Sequence, residues 1–208
     1  MTDVVIDHLT RMKDDRVCIA GLADDGAHVR PLLPQHRPWT DDHVHPHGPI
    51  RLGSRLSMDG ARRPAPPHTE NVVVDEWGVV GQSDCDPFFA QLQSAVVPLR
   101  ECFGASHSLV SGRHLVVAPD EGTSSLAIVR IPSADLYQRS GRLRLGLEHS
   151  DVGDIDLKVN DVRIVPWTRR REQMPRLSQL LATSGALLTI GLTRAWPPQE
   201  QGASWCWV

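Results

Sequence analysis

Apolar and polar residues alternate along most of this chain with a period of two, the spacing of a half-buried β-strand. The pattern predicts strands over Arg16 to Ala23, His28 to Leu33, Ile50 to Asp59, Asn71 to Trp77 and His114 to Ala118. Further strands are expected over Ser124 to Ile131, Arg142 to Glu148, Asp154 to Val159 and Val162 to Trp167. Two more, Leu187 to Trp196 and Ser204 to Val208, close the chain. Gly, Pro, Asp and Ser fill the gaps between them. Many short strands with such punctuation predict small barrels or sandwiches.

The clearest signal is "RVCIAGLADDGAHVRPLLP", residues 16 to 34. Two apolar runs flank Asp24-Asp25-Gly26, and Asp-Gly supplies the positive φ that a tight hairpin needs. Arg30-Pro31 is out of place in its returning strand. Arginine is costly to bury, and proline removes a ladder hydrogen bond, so the pair marks a strand leaving its sheet.

Two segments switch to helical spacing. In "DPFFAQLQSAVVPLRECFG" Asp86 is the expected N-cap and Pro87 opens the helix. Phe88, Phe89, Leu92, Val96, Leu99 and Phe103 then recur at helical intervals, and Pro98 should break the helix near Val97. A shorter helix is expected over Pro175 to Ala182, with Leu177, Leu180 and Leu181 on one face. The first helix falls between two β-rich halves, so the expected domains are 1–104, which includes that helix, and 105–208.

Composition narrows the class. At 208 residues and 40% hydrophobic, the chain can build a true core. A net charge of -3 excludes a globally basic nucleic-acid protein, so any such binding needs a local patch. No apolar run reaches the ~20 residues of a membrane span, and the N-terminus is not read as a signal peptide. Cys18, Cys85, Cys102 and Cys206 have neither zinc-site nor disulfide-framework spacing, which predicts reduced thiols in a cytoplasm.

The opening hairpin "CIAGLADDGAHVRPLLP", "HTENVVV" at 68–74, "RLRLGLEHSDVGDIDLKVNDVRI" at 142–164 and "LTIGLTRAWPPQEQGASWCWV" at 188–208 together resemble the dual OB-containing domain family. The resemblance spans nearly the whole chain. These are bacterial proteins linked to nucleic-acid modification or defence. It implies an all-β fold with a few helices, in which two tandem OB-like barrels of about five strands each pack together around a central helix. Where the family has an aromatic ahead of Arg-Pro, this chain has His28, so any stacking at that point is weakened or lost.

Candidate contacts follow from charge and aromatic character. Arg30 is read either as a rim arginine facing phosphate or base, or as a structural arginine paired with a carboxylate such as Glu70. "WTRRREQMPR", residues 167 to 176, sets Arg169, Arg170, Arg171 and Arg176 around one Glu172 beside Trp167. Cations that neutralise phosphates next to a π-face that stacks bases suit a single strand. Trp39 is a further stacking candidate. Arg142 and Arg144 share a strand face and should be satisfied by Asp156 of the returning strand.

Other clusters read as structure. His36, His43, His45 and His47 stand with Asp41 and Asp42 in a Pro-containing loop, and a metal site there would lack rigid support. Trp205 and Trp207 share one face of the last strand, and these and Trp196 are read as core. "ASHSLVSGRH", residues 105 to 114, mixes serine and histidine but reads as a polar loop. No nucleophile elbow, P-loop, dinucleotide fingerprint or zincin motif is present.

The resulting expectation is a non-catalytic nucleic-acid-binding module, taking single-stranded DNA or RNA as its partner and using no cofactor or metal. It would serve as accessory to a modifying or defence enzyme. Two alternatives stay open: a protein–protein interaction module, and a metal-dependent enzyme built on the His36–His47 loop.

Overall fold

The computed structural model describes residues 1–104, 107–110, 113–149, 152–164, 173–193 and 206–208. The chain forms two compact units, Met1–Ala65 with Thr69–Ala95, and Pro66–His68 with Val96–Val208. Relative to a division at residue 104, both Val96–Gly104 and Pro66–His68 fall with the second unit. Among the described residues no helix is long and apolar enough to cross a membrane.

The first unit is a closed barrel. Strand β1 (Thr2–Arg11) pairs antiparallel with β2 (Arg16–Ala23), which pairs antiparallel with β3 (His28–Leu32). A two-residue strand β4 (Trp39–Thr40) joins the start of β2. Strands β5 (Ser54–Arg62) and β6 (Asn71–Gln82) form a long antiparallel pair. β5 returns to β1 in antiparallel pairing, while β6 lies parallel to β3, so the ring runs β1-β2-β3-β6-β5-β1. Ile6, Ile19, Leu56 and Val74 are fully buried in it.

Strand β1 is the element that periodicity missed. Its register slips between Ile6 and His8 against β2, and a bulge of this kind breaks the period of two. Gly21 sits opposite Ile6 where the backbones crowd: a Cβ there would lie 2.5 Å from the Val5 carbonyl oxygen.

The predicted hairpin forms around Asp24-Asp25-Gly26. Gly26 has φ +80°, its N–H donates to the Ala23 carbonyl, and the Asp25 side chain accepts from Ala27 N–H at 3.0 Å. β3 pairs with β2 only through His28 and Val29, then with β6 from Arg30 to Leu32. Pro31 therefore stands where β3 has parted from β2 and no ladder donor is required.

The helical stretch over 86–104 breaks ahead of Pro98, as its sequence predicts, into two elements. Helix α1 (Cys85–Ser94) takes Asp84, not Asp86, as its N-cap and ends before Pro98. A 3-10 segment, Leu99–Gly104, follows and belongs to the second unit. The apolar residues counted as one stripe thus serve different cores. Leu92 is buried in α1, Phe89 is 53% exposed, and Leu99 and Phe103 are buried in the second core.

That second unit consists of small sheets. Strands β7 (His107–Val110) and β8 (His114–Val117) pair with each other; β9 (Leu126–Ile131) stands apart from them. Strands β10 (Asp135–Arg139), β11 (Arg142–His149) and β12 (Gly153–Lys158) form a three-stranded antiparallel sheet. Helix α2 (Met174–Ser184) leads to β13 (Ala186–Gly191), which pairs with β9, and β14 (Cys206–Trp207) pairs with β8. Leu115, Val117, Val129, Ile131, Leu143, Leu145, Ile155 and Leu157 form one core. The expected second barrel is not a closed ring among the described residues, which show these three short sheets in its place. Leu177 and Leu181 of α2 pack on the core, but Leu180, expected on the same face, is 51% exposed.

Candidate nucleic-acid interface

Residues directly opposite in antiparallel pairs share a face, which sorts the side chains of β1, β2 and β3. One face carries Ile6, Leu9, Val17, Ile19 and Val29, and points into the barrel. The other carries His8, Thr10, Cys18, Ala20, Leu22, His28 and Arg30. This outer face is polar, yet much of it is withdrawn from solvent: Ala20, Leu22 and His8 are all buried.

Arg30 lies on this face and is held. Its backbone N–H donates to the Glu70 carbonyl at 2.9 Å, and its guanidinium reaches the Glu70 carboxylate at 3.0 Å. The two side chains are only 12% and 3% exposed. Of the two readings the sequence offers for Arg30, the pairing with Glu70 is the contact the structure contains. Burial pushes the Cys18 thiol up, and the Arg30 charge beside it offsets only part of that rise. On the same face His28 Nε2 lies 3.6 Å from the fully buried Asp7 carboxylate. Asp7 escaped sequence reasoning because β1 did; the Val4-Val5-Ile6 run was its one available signal.

Trp39 is packed inside the protein. It is 3% exposed, and its indole N–H donates to the Pro31 carbonyl at 2.8 Å. That carbonyl has lost its ladder partner where β3 leaves β2, so Trp39 supplies the missing donor. Its ring meets Trp77 edge-on at 4.9 Å and His43 at 5.1 Å, leaving no face for a base. His43 is committed too: its Nδ1 accepts from Thr40 N–H at 3.1 Å in a reciprocal cap of the turn Asp41–His43. Asp41 is taken by Arg11 in a two-pronged ion pair at 2.7 and 2.9 Å. Among the described residues no three His, Cys, Asp or Glu side chains gather as a metal site.

In the second unit Arg144 and Asp156 form the expected cross-hairpin pair. Arg144 Nε donates to Asp156 Oδ1 at 2.7 Å and a terminal nitrogen to the Asp156 carbonyl at 2.9 Å. Arg142 does not share it.

One pair here resembles a nucleophile with its base. Cys102 Sγ lies 3.7 Å from His107 Nε2. The thiol, however, donates to the Leu99 carbonyl, and burial pushes it up to about 12. Burial also pulls His107 down, and its ring nitrogen faces the Cys102 carbonyl at 2.9 Å. With the thiolate and the imidazolium both disfavoured, the pair is packing and not an activated nucleophile.

Arg176 is exposed in the first turn of α2. Trp167, Arg169, Arg170 and Arg171 lie outside the described residues, as do Trp196 and Trp205.

A closed five-stranded Greek-key ring is the architecture of an OB domain. The chain matches the dual OB-containing domain family over residues 9–208 and belongs to that family. Comparison with curated proteins gives no match, and comparison with solved structures gives none either.

Proposed function

We propose that this protein is a nucleic-acid-binding module with no chemistry of its own, holding single-stranded DNA or RNA for a modifying or defence enzyme in a reducing cytoplasm. The observation that carries this reading is the closed OB ring of the first unit, in a chain of the dual OB-containing domain family. Barrels of this kind present ligands with an outer sheet face and its flanking loops. The four free cysteines agree with a reducing compartment. In this reading Arg169, Arg170, Arg171 and Arg176 neutralise phosphates and Trp167 stacks a base. Specificity is weak, because backbone charge and stacking read no base edges.

The test is fluorescence anisotropy against labelled single-stranded DNA, single-stranded RNA and duplex DNA, at about 50 and 200 mM salt. Single-strand binding that falls steeply with salt, and weakens when Arg169, Arg170 and Arg171 become alanine, supports the reading. Absence of binding to all three at the lower salt overturns it. The protein-interaction alternative has one observation in its favour: Val80 and Phe89 are exposed by 62% and 53%.

A further inference from the structure

The β10–β11–β12 sheet has one apolar and one charged face. Leu136, Leu143, Leu145, Leu147, Ile155 and Leu157 point into the core. On the other face Arg139 stands directly opposite Arg142, and Tyr137, Arg144 and Lys158 form the next row. The Ser140-Gly141 turn, with φ values of +51° and +73°, brings the two arginines together at the hairpin tip. Adjacent strands are about 4.8 Å apart, so these four cations occupy a patch two rows deep.

Among the described residues, one of the four is neutralised. Arg144 pairs with Asp156, and the Tyr137 hydroxyl reaches the same carboxylate. Among the described residues Arg139, Arg142 and Lys158 have no ion pair, and all three are exposed. The crowding is felt electrostatically: partial burial first, then Arg142 and Arg144, pull the Lys158 ammonium below its usual range. Like charges directly opposite on a sheet are destabilising. An anion lying across the tip relieves that repulsion, and guanidinium forks match phosphate oxygens two at a time.

We propose that Arg139, Arg142 and Lys158 form a phosphate-binding patch at the β10–β11 hairpin tip that grips the backbone of a single-stranded nucleic acid. The choice of nucleic acid as the polyanion rests on the function proposed above; the patch itself rests on register, exposure and charge. The site explains how an acidic chain holds a polyanion: the cations gather at the hairpin-tip end of this face while Asp135, Asp154 and Asp156 lie toward its other end, and the Arg30 face of the first barrel is occupied by Glu70.

The experiment uses the full chain with Arg139, Arg142 and Lys158 changed together to alanine. A control changes Arg55, Arg100 and Arg163, which already pair with Asp24, Glu101 and Asp161. The net charge change is equal in both. Two probes are titrated, inorganic polyphosphate and labelled single-stranded DNA, and circular dichroism melting verifies folding. The patch variant should melt no lower than the parent, since it removes repulsion. Its affinity for both probes should fall at least tenfold, and its salt slope for DNA should drop by about 2, near 0.7 per lost contact. The control should change little. If DNA binding by the patch variant equals that of the control, the proposal is overturned and the nucleic-acid reading stands. If the parent binds polyphosphate but no nucleic acid, both are overturned together, and an acidic protein becomes the partner to seek.

Discussion

Arg30 and Glu70 are joined twice, by a backbone hydrogen bond of 2.9 Å and an ion pair of 3.0 Å, at the point where β3 leaves β2 and takes up β6. Removing one partner breaks a buried ion pair. Glu70→Gln or Arg30→Ala should therefore cost about 3–5 kcal/mol, while the double change Arg30→Met with Glu70→Leu should cost less than either. Urea unfolding of the full chain checks this. A loss below about 1 kcal/mol in both single variants would show the pair to be ornamental to the barrel.

Trp39 separates core from ligand contact. Trp39→Phe keeps an aromatic ring but deletes the N–H that satisfies the Pro31 carbonyl. The expected loss is about 1–3 kcal/mol of stability, with affinity for single-stranded DNA unchanged. Thermal melting and anisotropy on one sample read both quantities. Weaker binding without loss of stability would return Trp39 to the ligand.

What the sequence disclosed and what it hid have physical causes. The Asp24-Asp25-Gly26 hairpin was legible because turn chemistry and alternation agree locally, and the Arg30–Glu70 pairing was within reach because a buried arginine needs a carboxylate. β1 was not legible: Asp7 and His8 are polar yet buried, and the bulge between Ile6 and His8 breaks the alternation. In the stripe from Phe88 to Phe103 the break at Pro98 was legible, but helical spacing continues across it and hid that the residues beyond serve another core. Trp39 read as a stacking candidate because a two-residue strand has no period to mark it as core. The patch at the β10–β11 tip was half visible. Arg142 was placed on the correct face, but β10 and its Arg139 were not foreseen, and register alone opposes the two arginines.

Gly21 tests the closure of the ring. Its missing side chain lets β1 cross at a distance that any Cβ would violate, 2.5 Å from the Val5 carbonyl oxygen. Gly21→Ala should destabilise the first unit by about 1–3 kcal/mol or prevent its folding. Gly78, with open space around its Cβ direction, is the contrasting site, and Gly78→Ala should shift stability by less than about 1 kcal/mol. Equal melting temperatures for the two variants would contradict the tight crossing.

The four thiols should differ sharply in reactivity. Cys85 is exposed at the start of α1, whereas Cys102 is buried and its thiol is pushed up to about 12. Alkylation requires the thiolate. Brief treatment of the native protein with iodoacetamide, read by mass spectrometry, should label Cys85 first and leave Cys102 unmodified until denaturant is added. Early labelling of Cys102 would mean that the second core opens readily.

Asp156 sets an acid limit on the second unit. Its side chain is 4% exposed, and burial alone would raise its pKa. The hydrogen bonds from Arg144 and Tyr137, with the Arg144 charge, together outweigh burial and bring it below its ordinary 3.8. The unfolded chain therefore takes up this proton more readily than the folded one. The stabilisation is fully present above the unfolded pKa and is lost as pH falls through the lower, folded value. Asp156→Asn should cost about 1–3 kcal/mol at neutral pH, since Arg144 then loses its charged acceptor. The gap between parent and variant should stay constant from about pH 7 to pH 5 and narrow below about pH 4. Urea unfolding of both proteins across that range makes the measurement. A gap that does not narrow in acid would show that Arg144 holds Asp156 by shape and not by charge.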